Sequence, residues 1–94
     1  MIAMRRFKDR NAEALFDGNH VPRLPPHIQR RARMRLQRVM AAVALSDLAI
    51  PPSHQLKALK GKMDGRYSIR NDQWRVCFRW SDQGATEIEV IDYH

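Results

Sequence analysis

The chain closes on Ile88-Glu89-Val90-Ile91-Asp92-Tyr93-His94, an alternating run that delivers an aspartate, a tyrosine and a histidine. All three are proton-transfer side chains. The α-carboxylate carried by His94 favours imidazolium and so raises its pKa. A histidine protonated near neutrality is a good general acid for an RNA leaving group. Asp92 and His94 supply only two metal ligands, with no third or fourth nearby, so the run is no metal motif and implies no cofactor. The bland alternative is a frayed tail of three solvated groups. A paired terminal strand is what separates the two readings.

A second constellation is cationic. Arg30, Arg31, Arg33, Arg35 and Arg38 fall within nine residues, and Arg31, Arg35 and Arg38 share one helical face. Such a cluster repels itself, and a nearby polyanion relieves that repulsion. Contact with a nucleic-acid backbone, without sequence readout, is the functional reading; a solvated helix face is the plain one. Lys57, Lys60, Lys62 and Arg66 surround Gly61 and Gly65, whose small size permits turns or a close backbone approach.

The whole chain carries the same sign. Its 94 residues hold 17 Lys plus Arg against 10 Asp plus Glu, a net charge of +7 and a pI near 10.5. Thirteen of those cations are arginine, which favours bidentate phosphate contacts. Nucleic acid or an acidic protein is the natural partner of such a chain. A length of 94 fits one small domain spanning 1–94 with a modest core. No run approaches the roughly 18 apolar residues of a membrane span. Met1 to Arg10 is not followed by the apolar stretch of a signal peptide. Cys77 is the single cysteine, so no internal disulfide forms, which fits the reducing cytoplasm.

The elements that must position these groups follow from periodicity. Residues 1–8 suit a short edge strand, and residues 11–16 a short helix capped by Asn11. Residues 17–26 form a loop ending in Pro25 and Pro26, at the entry of a long helix over 27–45. Its apolar stripe is Ile28, Ala32, Leu36, Val39, Met40 and Val43. Residues 46–54 make a second loop. The period then becomes two: strands over 66–70, 74–80 and 86–92, joined by turns at 71–73 and 81–85. Trp74, Val76, Phe78 and Trp80 form the apolar face. Arg75, Cys77 and Arg79 point away from the helices. Tyr67 and Trp74 have an alternative use as base-stacking platforms. Helices first and an antiparallel meander after them define an α+β fold, a small sheet of three to four strands with two helices on one face.

The stretches LKALKG, GRYSIR, NDQWRVCFRW and EIEVIDYH together resemble the HigB branch of the RelE/ParE toxin superfamily of bacterial toxin–antitoxin pairs. The resemblance covers essentially the whole chain, weakly over 1–50 and strongly over 56–94. It implies a ribosome-dependent endoribonuclease that cuts mRNA by attack of the 2′-hydroxyl on the adjacent phosphate, without a metal. Asp92, Tyr93 and His94 match the terminal catalytic triplet. Arg75 matches the arginine after the hairpin aromatic and would hold the scissile phosphate, and Lys60 matches the basic residue of Leu-Lys-Gly. Arg66, Arg70, Arg31, Arg35 and Arg38 are further phosphate-binding candidates. Two departures stand out. Some relatives place a catalytic histidine where this chain has Lys57, with His54 three residues away and on the opposite parity. The hairpin is also one residue short after Arg70. The implied partners are the ribosome, mRNA and a HigA-like helix-turn-helix antitoxin, forming a hetero-oligomer that binds operator DNA. Two other functions compete: a non-catalytic toxin of the same fold acting on DNA gyrase or the ribosome, and a basic RNA-binding module with no toxin role.

Overall fold

A computed structural model describes residues 6–59, 65–71 and 73–92. Helix α1 spans Arg10–Phe16 and helix α2 spans Pro26–Ala41. Strands β1 (Lys57–Ala58), β2 (Arg66–Asn71), β3 (Trp74–Ser81) and β4 (Gly84–Asp92) form an antiparallel sheet in the order β1-β2-β3-β4. This is the expected α+β arrangement, with four strands. Phe7 adds an isolated parallel bridge to Ile88.

Helix α1 is capped by Asp9, whose carboxylate accepts from the Asn11 amide at 2.9 Å, rather than by Asn11 itself. A carboxylate at a helix start also meets the positive end of the dipole. Helix α2 opens on the proline pair, where a missing N–H costs nothing. Its buried face is Ile28, Ala32, Leu36 and Val39, the stripe that the spacing requires. These residues meet Leu15, Ile69, Val76, Phe78, Ile88 and Val90 in one core.

The helix ends earlier than periodicity suggests. The Asp47 carboxylate accepts from the Val43 and Ala44 amides at 3.1 and 3.0 Å. That bond set starts a 3₁₀ turn over Leu45–Ala49 and leaves Val43 89% exposed. The Ala44 and Val43 amides hold the Asp47 carboxyl below its ordinary range. Buried Gln29 ties the preceding loop to α2. It accepts from the Val21 amide and donates to the Val21 and Leu24 carbonyls, at 2.8–3.0 Å. Arg33 Nε donates to the Leu15 carbonyl, satisfying the end of α1.

The sheet is irregular at one point. Cys77 pairs with Glu89, but Arg79 pairs with Thr86, so β4 has one extra residue opposite Phe78. Glu87 lies there with φ 50, a left-handed backbone that costs a non-glycine residue about 1–2 kcal/mol. The bulge lets Ala85 on one side of it and Ile88 and Val90 on the other all reach the core.

His54 closes the second loop after a 3₁₀ turn, Pro52–His54, and is fully buried. Its Nδ1 donates to the Leu48 carbonyl at 3.1 Å, because a carbonyl can only accept. Burial pushes its pKa below the ordinary 6.5 against the opposing Leu48 bond, and Arg35 and Arg38 push the same way as burial. The imidazole is therefore neutral in the fold, and the unfolded chain binds its proton first. The stability it contributes is complete above about pH 6.5 and is lost as pH falls from there through the folded value. Chemical denaturation across that window should show a falling midpoint, and His54→Asn should flatten the fall; equal slopes would contradict a neutral buried His54.

Candidate nucleic-acid interface

The end of the sheet formed by the β2–β3 hairpin and the last described residues of β4 gathers Arg70, Arg75 and Asp92, with Arg31 and Arg35 of α2 beside them. Arg70 faces Arg75, which in turn faces Ile91. One step on, Trp74 faces Asp92. Successive strand residues point to opposite faces. Arg75 and Asp92 therefore lie on opposite sides of the sheet end, Arg75 on the face away from the helices and Asp92 on the face toward them.

On the open face, Arg75 is fixed at two points. Its Nε donates to Ser68 Oγ at 2.8 Å, and its Nη2 to the Gln55 carbonyl at 3.0 Å. Arg70 Nη1 reaches Gln55 Oε1 at 3.4 Å. Gln55, with φ 46 after the Pro52–His54 turn, thus holds both guanidiniums, one by its backbone and one by its side chain. Like charges directly across a strand pair repel, so this pairing costs stability. It also sets two guanidiniums side by side on the open face. Lys57 stands exposed on the same face, opposite Ser68.

On the helix face, Asp92 borders a cavity of about 640 Å³ shared with Arg23, His27, Arg31, Gln73 and Trp74. Arg23 lies 5.5 Å over the Trp74 ring and donates to the Val90 carbonyl at 3.0 Å. Trp74 is buried beneath it, so its ring serves as core and as a support for Arg23. Arg35 Nε donates to the Arg70 carbonyl at 3.3 Å and links α2 to the open-face pair. Arg38 Nη2 donates to the Ile50 carbonyl at 2.6 Å, farther along the helix. Lys60, Tyr93 and His94 lie outside the described residues.

Arg66 has a different position from the one its sequence neighbourhood suggests. It is 5% exposed, and its guanidinium meets Glu89 at 2.9 Å and Glu87 at 3.3 Å. Glu87 also pairs with Arg79, and Glu89 with Lys8. A cation so buried and neutralised serves the sheet, not a phosphate. Cys77 points away from the helices as its parity demands, yet it is fully buried. Desolvation first, then Glu89, pushes its thiol up to about 11, so it is no nucleophile at neutral pH.

Arg23 and Gln55 are the positioning residues that sequence reasoning missed. Arg23 had a faint signal, a lone cation just before the Leu-Pro-Pro entry to α2. Gln55 had none, since its role depends on a backbone conformation.

The architecture, an antiparallel meander with two helices on one face and a basic open face, is that of a RelE-like toxin. The family model for the RelE-like toxin of the type II toxin–antitoxin system HigB matches residues 5–94. "Toxin HigB-1" of Vibrio cholerae serotype O1 (strain ATCC 39315 / El Tor Inaba N16961) is 38% identical over 90 residues, covering 94% of each chain. The chain belongs to the HigB-like family of type II toxins, and that class implies an antitoxin partner. Among the described residues, no helix is long and apolar enough to cross a membrane.

Replacing Arg66 tests the division of labour among the arginines. Arg66→Ala leaves mostly buried Glu89 with its longer pair to Lys8 at 3.5 Å, so it should cost about 2 kcal/mol of folding stability. Urea denaturation measures that cost, and an unchanged midpoint would return Arg66 to the list of RNA-facing cations.

Proposed function

We propose that this toxin is a ribosome-dependent mRNA endoribonuclease that cleaves by attack of an RNA 2′-hydroxyl on the adjacent phosphate. The observation that carries the reading is the Arg70–Arg75 pair, two guanidiniums fixed on the open face beside the strand that leads into Tyr93 and His94. The 2′-oxygen bonds to phosphorus, and the bond from phosphorus to the 5′-oxygen breaks. The products are a 2′,3′-cyclic phosphate and a 5′-hydroxyl end. Arg75 and Arg70 hold the scissile phosphate and meet the charge that grows on its oxygens.

The terminal groups manage the protons. His94 as imidazolium donates to the departing 5′-oxygen. Tyr93 supplies a hydroxyl to the phosphate contacts. Lys57 and Lys60 add positive charge beside the phosphate, and the 2′-proton leaves to water. Asp92, on the opposite face, orients the strand end from the side of Arg23 and Arg31. Arg31, Arg35 and Arg38 engage RNA backbone away from the cut.

A non-catalytic toxin of the same fold is the second reading, and Lys57 in place of a histidine is the feature that favours it. Induced expression followed by 5′-end mapping separates the two. The nuclease reading expects cuts within translated codons, abolished by His94→Ala. Arg75→Ala should lower the single-turnover rate on programmed ribosomes by about 10²–10³-fold, the effect of removing one charge-stabilising contact. Growth arrest with intact transcripts would establish the binding-only toxin.

A further inference from the structure

Another cavity among the described residues lies away from the sheet end. It is about 350 Å³ and runs between the exposed side of α2 and the loop before β1, lined by Met34, Arg35, Arg38, Ala41, Pro51 and His54. Among the described residues, the exposed large apolar side chains are Met34 at 53%, Val43 at 89% and Ile50 at 66%. Met34 is in the groove. Ile50 adjoins its Pro51 wall, and its carbonyl is held by Arg38. Val43 stands two residues beyond Ala41. Two exposed apolar side chains, Met34 and Ile50, at one groove of a small basic domain mark an interaction surface.

The groove has a second, independent mark. His54 Nε2 is buried in its wall and has no hydrogen-bond partner among the described residues. Nδ1 carries the ring proton, so Nε2 is an acceptor that lacks a donor. Buried polar atoms are almost always satisfied, and an exception at a groove asks for an incoming N–H or O–H.

We infer that this groove is a docking site for the antitoxin, and that its occupant is an acidic amphipathic helix. The inference rests on membership of the type II toxins and not on the ribonuclease reading. The apolar stripe of such a helix covers Met34, Ala41, Ile50 and Pro51, as in other helix-in-groove complexes. Its carboxylates face Arg35 and Arg38 on the rim of a chain whose net charge is +7. Asp47 also lies within the field of Arg38 and sets a limit on how much acidic charge that end of the groove accepts. A polar N–H or O–H donor on the helix satisfies His54 Nε2. The same arginines meet RNA backbone when the antitoxin is absent, but RNA has nothing to offer the exposed apolar residues, which mark the protein contact. Because Arg35 also touches the end of β2, a helix seated here crowds the approach to Arg70.

The test is titration calorimetry of the purified toxin with its own antitoxin, using Met34→Asp/Ile50→Asp and the conservative Met34→Leu. Both sites are exposed, so the fold should survive, and a thermal melt of each variant checks this. The double variant should bind the antitoxin about thirtyfold more weakly or worse, the size of an interface hot spot, and Met34→Leu within threefold of the parent. Growth arrest by the double variant should persist and should no longer be relieved by antitoxin co-expression. Hydrogen exchange of the complex should show protection at residues 34–41 and 50–54. Unchanged antitoxin affinity with no protection there would overturn the assignment. Loss of growth arrest in the folded double variant, with antitoxin binding intact, would also overturn it and assign the surface to the ribosome.

Discussion

The pairing of β4 with β3 is the constraint on which the site depends. It runs from Ser81–Gly84 to Trp74–Asp92, so the closing residues are held by a ladder almost to the end. The extra residue at Glu87 resets the parity of the strand from there to Asp92. With no bulge, Glu87 and Glu89 would turn into the core, and Asp92 would fall on the Arg75 side. With it, Ile88 and Val90 fill the core, Glu87 and Glu89 meet Arg66, and Asp92 turns to the α2 side. A backbone strain of about 1–2 kcal/mol at one residue thus decides which face Glu87, Glu89 and Asp92 address.

The same geometry sorts the cations. Arg66 faces Arg79 and Arg70 faces Arg75, two like-charged pairs on one face. The carboxylates delivered by the bulge neutralise the first pair, and Cys77 is sealed beneath them. The second pair is oriented in part by Gln55 and Ser68. Along α2, Arg31 borders the cavity of Asp92, Arg35 reaches the end of β2, and Arg38 braces Ile50. One helical face that looks uniform in sequence therefore serves three separate places.

Much of this was legible before the structure. The stripe Ile28, Ala32, Leu36 and Val39 specified α2, and strict alternation over 74–80 specified β3 and its buried face. The long antiparallel meander followed from turn residues at known spacings. The misreadings share a cause, which is that tertiary hydrogen bonds leave no periodic trace. Val43 continued the helical pattern, but Asp47 took its amide. Asn11 suited a cap, but Asp9 was nearer the right offset. Lys57 and Ala58 are too short to read as a strand until β2 lies beside them. Arg66 and Arg70 look alike in sequence, and only the folded positions of Glu87 and Glu89 show that Arg66 is a buried, ion-paired cation while Arg70 stays exposed.

The central claim is that the open face at the end of β2 and β3, and not the cavity on the helix side, holds the reacting phosphate. Electron cryomicroscopy of the toxin on a ribosome whose A-site codon carries 2′-deoxy sugars tests this most directly, since the uncleavable RNA stays in place. The account predicts the scissile phosphate within hydrogen-bond distance of Arg75, with Arg70 beside it and His94 on the side of the 5′-oxygen. A phosphate seated instead between Arg23 and Arg31, with Arg75 turned away from it, would contradict the account.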